Sequence, residues 1–437
     1  MIVQMNEYIK NLKTPIAIVG MARSGESAKR LLLASGLLPE NVLTFDAKLD
    51  TADFKDPQEL IARGQPKTLL VSPGVPLASP WIQKAREQGL QIVSEISLAC
   101  SFLTNEKLIG VTGSLGKSTT VSLLGAGLGA FSKNYFVGGN LGTPFCEYAC
   151  ELVDRKRSVA DWVVLELSSY QLENCEGLAL DYSAITYLTP NHLERYTSLQ
   201  DYYDTKWKIF TLTKKIMFLN KLGGELLEYA KNKDLTDLYV VSKEDSLFEP
   251  FNLHDAQLIG KHNQDNLALA TAIALEAGWP KKAIEGMTEF KGLAHRLENL
   301  GYVNGIRFID DSKATAMDSV IIAAQAAHET LQHGGRLHIL LGGKDKNLPW
   351  EQLKNLANLQ DTVFVFFGEC AGLAQSKSTL PGTQYSTLKT ALDEVLKLAK
   401  SPDTVLLSPG GTSFDEFKSF EDRGDFFKRV VSEFANL

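Results

Sequence analysis

Cysteine is sparse in this chain: the five present are Cys100, Cys146, Cys150, Cys175 and Cys370, and none forms a CxxC pair. An odd set without that spacing argues against a disulfide framework and against a thiolate metal site, and it suits a reducing compartment. Cys146 and Cys150 are spaced to share a helix face, but no histidine stands near them, so they read as packing residues. Long hydrophobic runs are missing too. No segment is apolar enough to span a bilayer, and the opening MIVQMNEYIKNLK lacks the apolar core of a signal peptide. A cytoplasmic protein without membrane insertion is therefore expected. Positive charge is in deficit, 45 Lys and Arg against 52 Asp and Glu, for a net charge of −7. General affinity for nucleic acid or an anionic membrane is disfavoured, so any anion site must be basic only locally. Low-complexity tracts and short repeats are absent as well.

What is present is an ordinary globular composition, 44% hydrophobic and 22% charged, in 437 residues. That length suits about two to four domains. Strand-like and helix-like runs alternate throughout, the pattern of α/β units with parallel sheets. A first unit carries PIAIVG (15–20), NVLTFD (41–46), TLLVSPG (68–74) and QIVSEI (91–96). A second carries LIGV (108–111), DWVVLEL (161–167), YSAITYL (182–188), KIMFLN (215–220) and LYVVS (238–242). A third carries GIRFID (305–310), RLHILLGG (336–343), TVFVFFG (362–368) and TVLLSPGG (404–411). Boundaries near 104 and 299 divide the chain into domains 1–104, 105–298 and 299–437: Rossmann-like, phosphate-loop ATPase-like and again Rossmann-like.

The strongest chemical motif is LIGVTGSLGKSTTVSLL (108–124), a short strand, a glycine loop and a helix of small and aliphatic residues. Gly113 and Gly116 let backbone N–H groups turn toward a phosphate, the helix N-terminus adds partial positive charge, and Lys117 adds a full one. Ser118 is placed to offer a hydroxyl to Mg²⁺. The spacing departs slightly from the usual rule, because Val111 stands where its first glycine belongs and Gly110 precedes it.

Ligands of open α/β sheets gather at the carboxyl ends of strands, so the residues found there are the next candidates. The first unit offers a Gly-rich turn, GMARSG (20–25), which is not a true GxGxxG because Ala22 replaces the middle glycine. It also offers Asp46 and Ser72-Pro73-Gly74, and the three strand ends together suit a nucleotide-like ligand. In the second unit Glu166 is either a metal anchor or a turn-capping acid, and His192 ligates metal, touches substrate or is structural. Lys206 and Lys208 lie on a helix with aromatic neighbours and by themselves read as a solvated face. The third unit presents Asp311 to Thr315, Gly342 to Lys346 and Ser408 to Ser413, with Arg296 just ahead of it. A regulatory GTPase is a poor alternative, since no DxxG occurs and Asn220-Lys221-Leu222 is followed by Gly223 instead of the Asp that would read guanine. A dehydrogenase would leave the phosphate loop unexplained.

GVTGSLGKSTT, GGNLG (138–142), VLELSSYQLE (164–173), TPNHLERY (189–196), KHNQDN (261–266), LAHRLE (293–298), DDSKAT (310–315) and LLSPGGTSFDEFKSFEDRG (406–424) resemble, in order, the motifs of the Mur ligases. The resemblance implies a cell-wall precursor enzyme in which ATP and Mg²⁺ activate the carboxylate of UDP-N-acetylmuramoyl-L-alanine as an acyl phosphate. The amine of D-glutamate then attacks it. Lys117, Glu166, His192 and Lys206 are the implied catalytic groups, with Ser118, Glu166, His192 and Lys206 around metal and Lys206 carbamylated. Gly113, Ser114, Gly116, Lys117, Ser118, Thr119, Asn266, Arg296, Asp311 and Lys313 would take ATP. Gly20, Arg23, Ser24, Asp46, Ser72 and Gly74 would take the UDP moiety, and Asn140 and Ser168 the muramoyl-alanine end. Thr315, Lys346, Ser413 and Phe420 would hold D-glutamate. The family pattern differs at Leu115 and Ala316, where Asn is common, at Asn191, where an acid is common, and at Arg23, where a small or apolar residue is frequent. A monomer is expected. Sister Mur ligases for other amino acids, and folylpolyglutamate synthase, share this chemistry; the latter lacks an N-terminal nucleotide unit of this kind.

Overall fold

The computed structural model describes residues 7–190, 195–231, 233, 236–253 and 256–435. These fall into two compact units, Met1–Leu253 with Asp265–Met287, and His254–Gln264 with Thr288–Leu437. Among the described residues no helix is long and apolar enough to cross a membrane.

The first unit holds two parallel sheets. One is built from β1 (Ile16–Val19), β2 (Val42–Phe45), β3 (Thr68–Val71) and β4 (Gln91–Ser94) in the order β2-β1-β3-β4. The other uses β5 (Lys107–Thr112), β6 (Tyr135–Gly139), β7 (Trp162–Glu166), β8 (Leu180–Ile185), β9 (Thr213–Asn220) and β10 (Leu238–Val241), in the order β10-β9-β8-β5-β7-β6. The central strands are mostly apolar because helices cover both faces of a parallel sheet: β1, β3 and β7 are buried at every residue. In each sheet the strand carrying the glycine turn, β1 or β5, lies between two neighbours, so three loops meet at one carboxyl edge.

The second unit has one six-stranded sheet: β11 (Glu298–Val303), β12 (Ile306–Asp310), β13 (Leu337–Gly342), β14 (Thr362–Phe367), β15 (Gly382–Tyr385) and β16 (Thr404–Gly410). Its order is β11-β12-β16-β13-β14-β15, with only β11 antiparallel to its neighbour. Strands β6, β11 and β15 carry no clear pattern in the sequence. All three are edge strands, and each includes glycine: YFVGG, ENLGYV and GTQY. An edge strand contacts one neighbour only and needs no continuous apolar run.

Within the first unit the two sheets are joined by buried contacts. Glu95, directly after β4, is fully buried and accepts the Cys146 N–H at 2.6 Å through Oε1, at the start of the helix Phe145–Val153. Its Oε2 has no hydrogen-bond partner among the described residues. Burial pushes the Glu95 carboxyl up to about 7, against the pull of the Cys146 and Phe145 N–H groups. A folded-state pKa raised above the unfolded value of roughly 4.3 means stability is complete below that value and declines as pH rises through about 7. Glu95→Gln keeps an acceptor for Cys146 but cannot ionise. Its Tm relative to wild type is therefore expected to rise by about 2–4 °C between pH 5.5 and pH 8, the shift expected per roughly 1 kcal/mol. Melting curves at the two pH values check this, and an unchanged difference would show that the fold does not raise the Glu95 pKa.

All five cysteines are free and buried, Cys146 and Cys150 on that same helix, as packing residues should be.

Candidate functional site

The turn after β5 enters the helix Lys117–Phe131 at Gly116, which has φ +82° and no side-chain cap. Only glycine fits there. A Cβ on Gly116 would come within 2.6 Å of Asn266 Oδ1, and one on Gly113 within 2.1 Å of Thr186 Oγ1. The loop is thus a tight cradle whose helix end is left open to an anion. Lys117 folds back over it, its Nζ donating to the Gly113 carbonyl at 2.7 Å and to Ser114 O at 3.1 Å. Ser114 is tied down by the Tyr202 hydroxyl at 3.0 Å and by Thr189 O at 2.9 Å. Thr119 lies half-buried in the first helical turn.

Glu166, at the carboxyl end of β7, is buried at 2% exposure and faces this cradle. Ser118 Oγ donates to its Oε2 at 2.6 Å, and Asn140 Nδ2 to its Oε1 at 2.7 Å. Neighbouring β5, β7 and β6 bring these three groups together from positions far apart in the sequence. A carboxylate, a hydroxyl and an amide at this spacing suit a hard divalent cation such as Mg²⁺. Ser168, two residues on, caps the helix Ser169–Leu172 in a reciprocal capping box with Gln171.

Lys206 corrects one reading made from the residues alone. It does not belong to a solvated face: the helix Leu199–Thr211 buries it at 2% exposure, whereas Lys208 is exposed. Its Nζ donates to the Gly113 carbonyl at 2.8 Å and lies 4.9 Å from the Tyr202 ring. Burial pushes its pKa well below the ordinary lysine value, nearby Lys117 pushes the same way, and Glu166 opposes both. Lys117, Ser118, Glu166, Asn140, Lys206 and Asn266 therefore share one neighbourhood. His192 and Asn191 lie outside the described residues.

On the first sheet, Gly20 (φ +89°), Asp46 and Ser72 meet at the ends of β1, β2 and β3. Ser72 Oγ donates to Gly20 O at 2.6 Å. Asp46 accepts the Met21 N–H at 2.9 Å and the Lys48 N–H at 2.9 Å, bonds that hold its carboxyl below the usual range. The carboxylate thereby shapes the Gly-rich turn. Arg23 is exposed and donates to Gly142 O at 3.0 Å, Ser24 is half-buried, and Gly74 is exposed.

The second unit has its own cluster at the ends of β12, β16 and β13. Asp311 accepts the Ser408 hydroxyl at 2.8 Å and the Leu297 N–H at 3.1 Å, and burial raises its pKa to about 7. Lys313 Nζ sits 3.7 Å from the centre of the Phe420 ring, a cation–π contact. The loops carrying Lys346 and Ser413 are paired through Lys344 and Thr412, whose N–H groups bond each other's carbonyls at 2.8 and 2.9 Å. Ser413 is buried, Lys346 exposed, and Thr315 and Arg296 half-buried.

Sequence reasoning overlooked the residue that ties this cluster together. Arg423, fully buried, donates to Ser312 Oγ at 3.0 Å, Ser312 O at 2.9 Å and Gly411 O at 3.2 Å. An arginine on the apolar side of the amphipathic helix Phe420–Phe434 was the available clue. His295 was overlooked as well. It bonds buried Asp310 at 2.7 Å, and that bond raises its pKa.

A glycine cradle between strand and helix, faced by lysine, serine and a strand-end carboxylate, defines a phosphate-loop α/β protein. The Mur ligase middle domain matches residues 111–274, and the Mur ligase glutamate ligase domain matches residues 295–411. The UDP-N-acetylmuramoylalanine--D-glutamate ligase of Myxococcus xanthus strain DK1622 is 34% identical, over 95% of this chain and 97% of its own length. The protein of the same name from Pasteurella multocida strain Pm70 is 30% identical, over 98% of this chain and 99% of its own. The solved UDP-N-acetylmuramate-alanine ligase of Thermotoga maritima covers 96% of this chain and 100% of its own, with a TM-score of 0.56 at 18% identity, a likeness of fold. The chain belongs to the Mur ligase family.

Proposed function

We propose that this protein joins D-glutamate to UDP-N-acetylmuramoyl-L-alanine at the expense of ATP, a step of peptidoglycan precursor synthesis. The observation that carries the reading is the near full-length identity to relatives bearing that activity in their names, in a chain whose Lys117, Ser118, Glu166 and Lys206 surround one glycine cradle.

A carboxylate is a poor electrophile. In this reading an oxygen of the alanyl carboxylate attacks the γ-phosphorus of ATP, ADP departs, and an acyl phosphate forms. The neutral amine of D-glutamate then attacks the carbonyl carbon, and inorganic phosphate leaves as the amide forms. Catalysis consists of positioning and of neutralising crowded negative charge. Lys117 and the loop N–H groups hold phosphate oxygens; Asn266, Arg296, Asp311 and Lys313 are assigned to the nucleotide. Ser118, Glu166, His192 and Lys206, the last as a carbamate, would hold Mg²⁺, which supplies charge neutralisation at the phosphates. Gly20, Arg23, Ser24, Asp46, Ser72 and Gly74 take the UDP moiety, with Asn140 and Ser168 toward the muramoyl-alanine end. Residues 1–104, 105–298 and 299–437 divide these tasks, and the enzyme acts as a monomer.

Amino-acid choice is assigned to Thr315, Lys346, Ser413 and Phe420. One ammonium and several hydrogen-bond donors suit two carboxylates, and charge-assisted bonds are roughly twice as strong as neutral ones. Ser413→Ala and Lys346→Ala are each expected to raise the KM for D-glutamate by about tenfold or more and to leave that for ATP nearly unchanged. Phosphate release in the presence of D-glutamate, L-glutamate, D-alanine and L-lysine tests the reading directly. A preference for L-lysine or diaminopimelate would move the assignment to a sister ligase.

A further inference from the structure

We infer that Arg195 is a positioning residue that clamps the loop after β3 onto the helix Ser169–Leu172 and thereby sets affinity for the UDP-linked substrate. The inference rests on the preceding reading, which gives that loop to the UDP moiety.

Arg195 is only 8% exposed in its side chain, and all three guanidinium nitrogens are engaged. Nε and Nη2 form a fork onto Glu173, at 2.8 Å to Oε1 and 2.7 Å to Oε2. Nη1 donates to Pro73 O at 2.9 Å, and Nη2 reaches Val75 O at 3.4 Å. The guanidinium carbon lies 3.9 Å from the centre of the Tyr170 ring. The Tyr196 hydroxyl adds a bond to Glu173 Oε1 at 3.0 Å. Glu173 and Tyr170 belong to the segment that follows Glu166, while Pro73 and Val75 belong to the loop after β3. Ser72, immediately before Pro73, is the residue whose hydroxyl closes on Gly20 O.

One planar cation therefore holds a carboxylate and an aromatic ring from the helix Ser169–Leu172 and its C-cap, and two carbonyls from the loop after β3. A planar fork with five donors can do this; a lysine ammonium, a compact point charge, can satisfy the carboxylate or a carbonyl but not the whole set. Among the described residues the hydrogen bonds of Arg195 reach Glu173, Pro73 and Val75 and none goes to the phosphate loop, whose nearest link to the clamp is the Tyr202 ring 5.3 Å from that of Tyr196. Loss of the clamp should loosen the Ser72–Val75 loop and leave the ATP site as it is.

The test is steady-state kinetics of Arg195→Lys and Arg195→Ala with each of the three substrates varied in turn, alongside calorimetric titration with UDP and melting curves. The expected result is a KM for UDP-N-acetylmuramoyl-L-alanine raised roughly tenfold or more, with kcat and the KM values for ATP and D-glutamate within about threefold. UDP binding should weaken in parallel. Combining Arg195→Lys with Glu173→Gln should add little to Arg195→Lys alone, because both act through one clamp. An unchanged KM for the UDP-linked substrate would overturn the inference. So would equal rises in all three KM values accompanied by a fall in Tm, the mark of a merely structural tie. A wild-type protein that binds UDP but does not turn over these substrates would sink the proposed reaction alone, and the clamp would still be judged by UDP affinity. A wild type that does not bind UDP would overturn both.

Discussion

Lys117→Ala is expected to lower ATP-dependent phosphate release by about a hundredfold to a thousandfold, the range seen when one preorganised group facing developing charge is removed. Binding of the UDP-linked substrate should remain nearly intact. The loop retains its N–H cradle without the lysine, because Gly113, Gly116 and the anchoring of Ser114 depend on the backbone and on Tyr202. What is lost is the ammonium held over the Gly113 and Ser114 carbonyls. Lys206 cannot replace it as a cation, since burial, the main cause of its lowered pKa, still favours the neutral amine when Lys117 is gone. The residues assigned to UDP gather on the first sheet, where Asp46 accepts the Met21 N–H and the Ser72 hydroxyl donates to the Gly20 carbonyl. Parallel assays of phosphate release and of UDP-substrate binding check the prediction. Near-normal turnover would remove Lys117 from the chemistry.

The second large effect is expected at Lys206. Carbamate formation joins a neutral amine to CO₂, forming an N–C bond and releasing one proton, and it leaves an anion in place of that amine. The lowered pKa of buried Lys206 keeps the amine neutral over a wider pH range than a surface lysine, which favours that step. Lys206→Ala should therefore lose activity by about a hundredfold or more and recover part of it in acetate or formate, which can fill the anionic gap. Chloride at equal ionic strength should not help. Equal rescue by chloride would refute the carbamate. The neutral fraction, and with it carbamate occupancy at fixed CO₂, should rise as pH increases through the lowered pKa, and isotopic labelling with ¹³CO₂ can follow it.

Much of this was legible in the sequence. Strands at the centres of the sheets such as β1, β5, β7, β13 and β16 stand out as largely apolar runs because both of their faces are covered. The phosphate loop announces itself because glycine spacing, lysine and serine are all local requirements. Edge strands such as GTQY were silent, since half of their environment is solvent.

The sequence by itself determined the class of fold, the phosphate loop and the polar and Gly-rich strand ends, because each depends on neighbouring residues and on local conformation. Only the tertiary structure decided which of those residues meet. Lys206 has the same helical spacing whether it faces solvent or core, and it is the packing of its helix on the phosphate loop that buries it and lowers its pKa. The same holds for Asn140 on Glu166, 26 residues apart, and for Arg195 on Pro73, 122 apart. Pairings over such separations are set by strand order and by the close packing of two sheets, and neither is written into the spacing of any one segment.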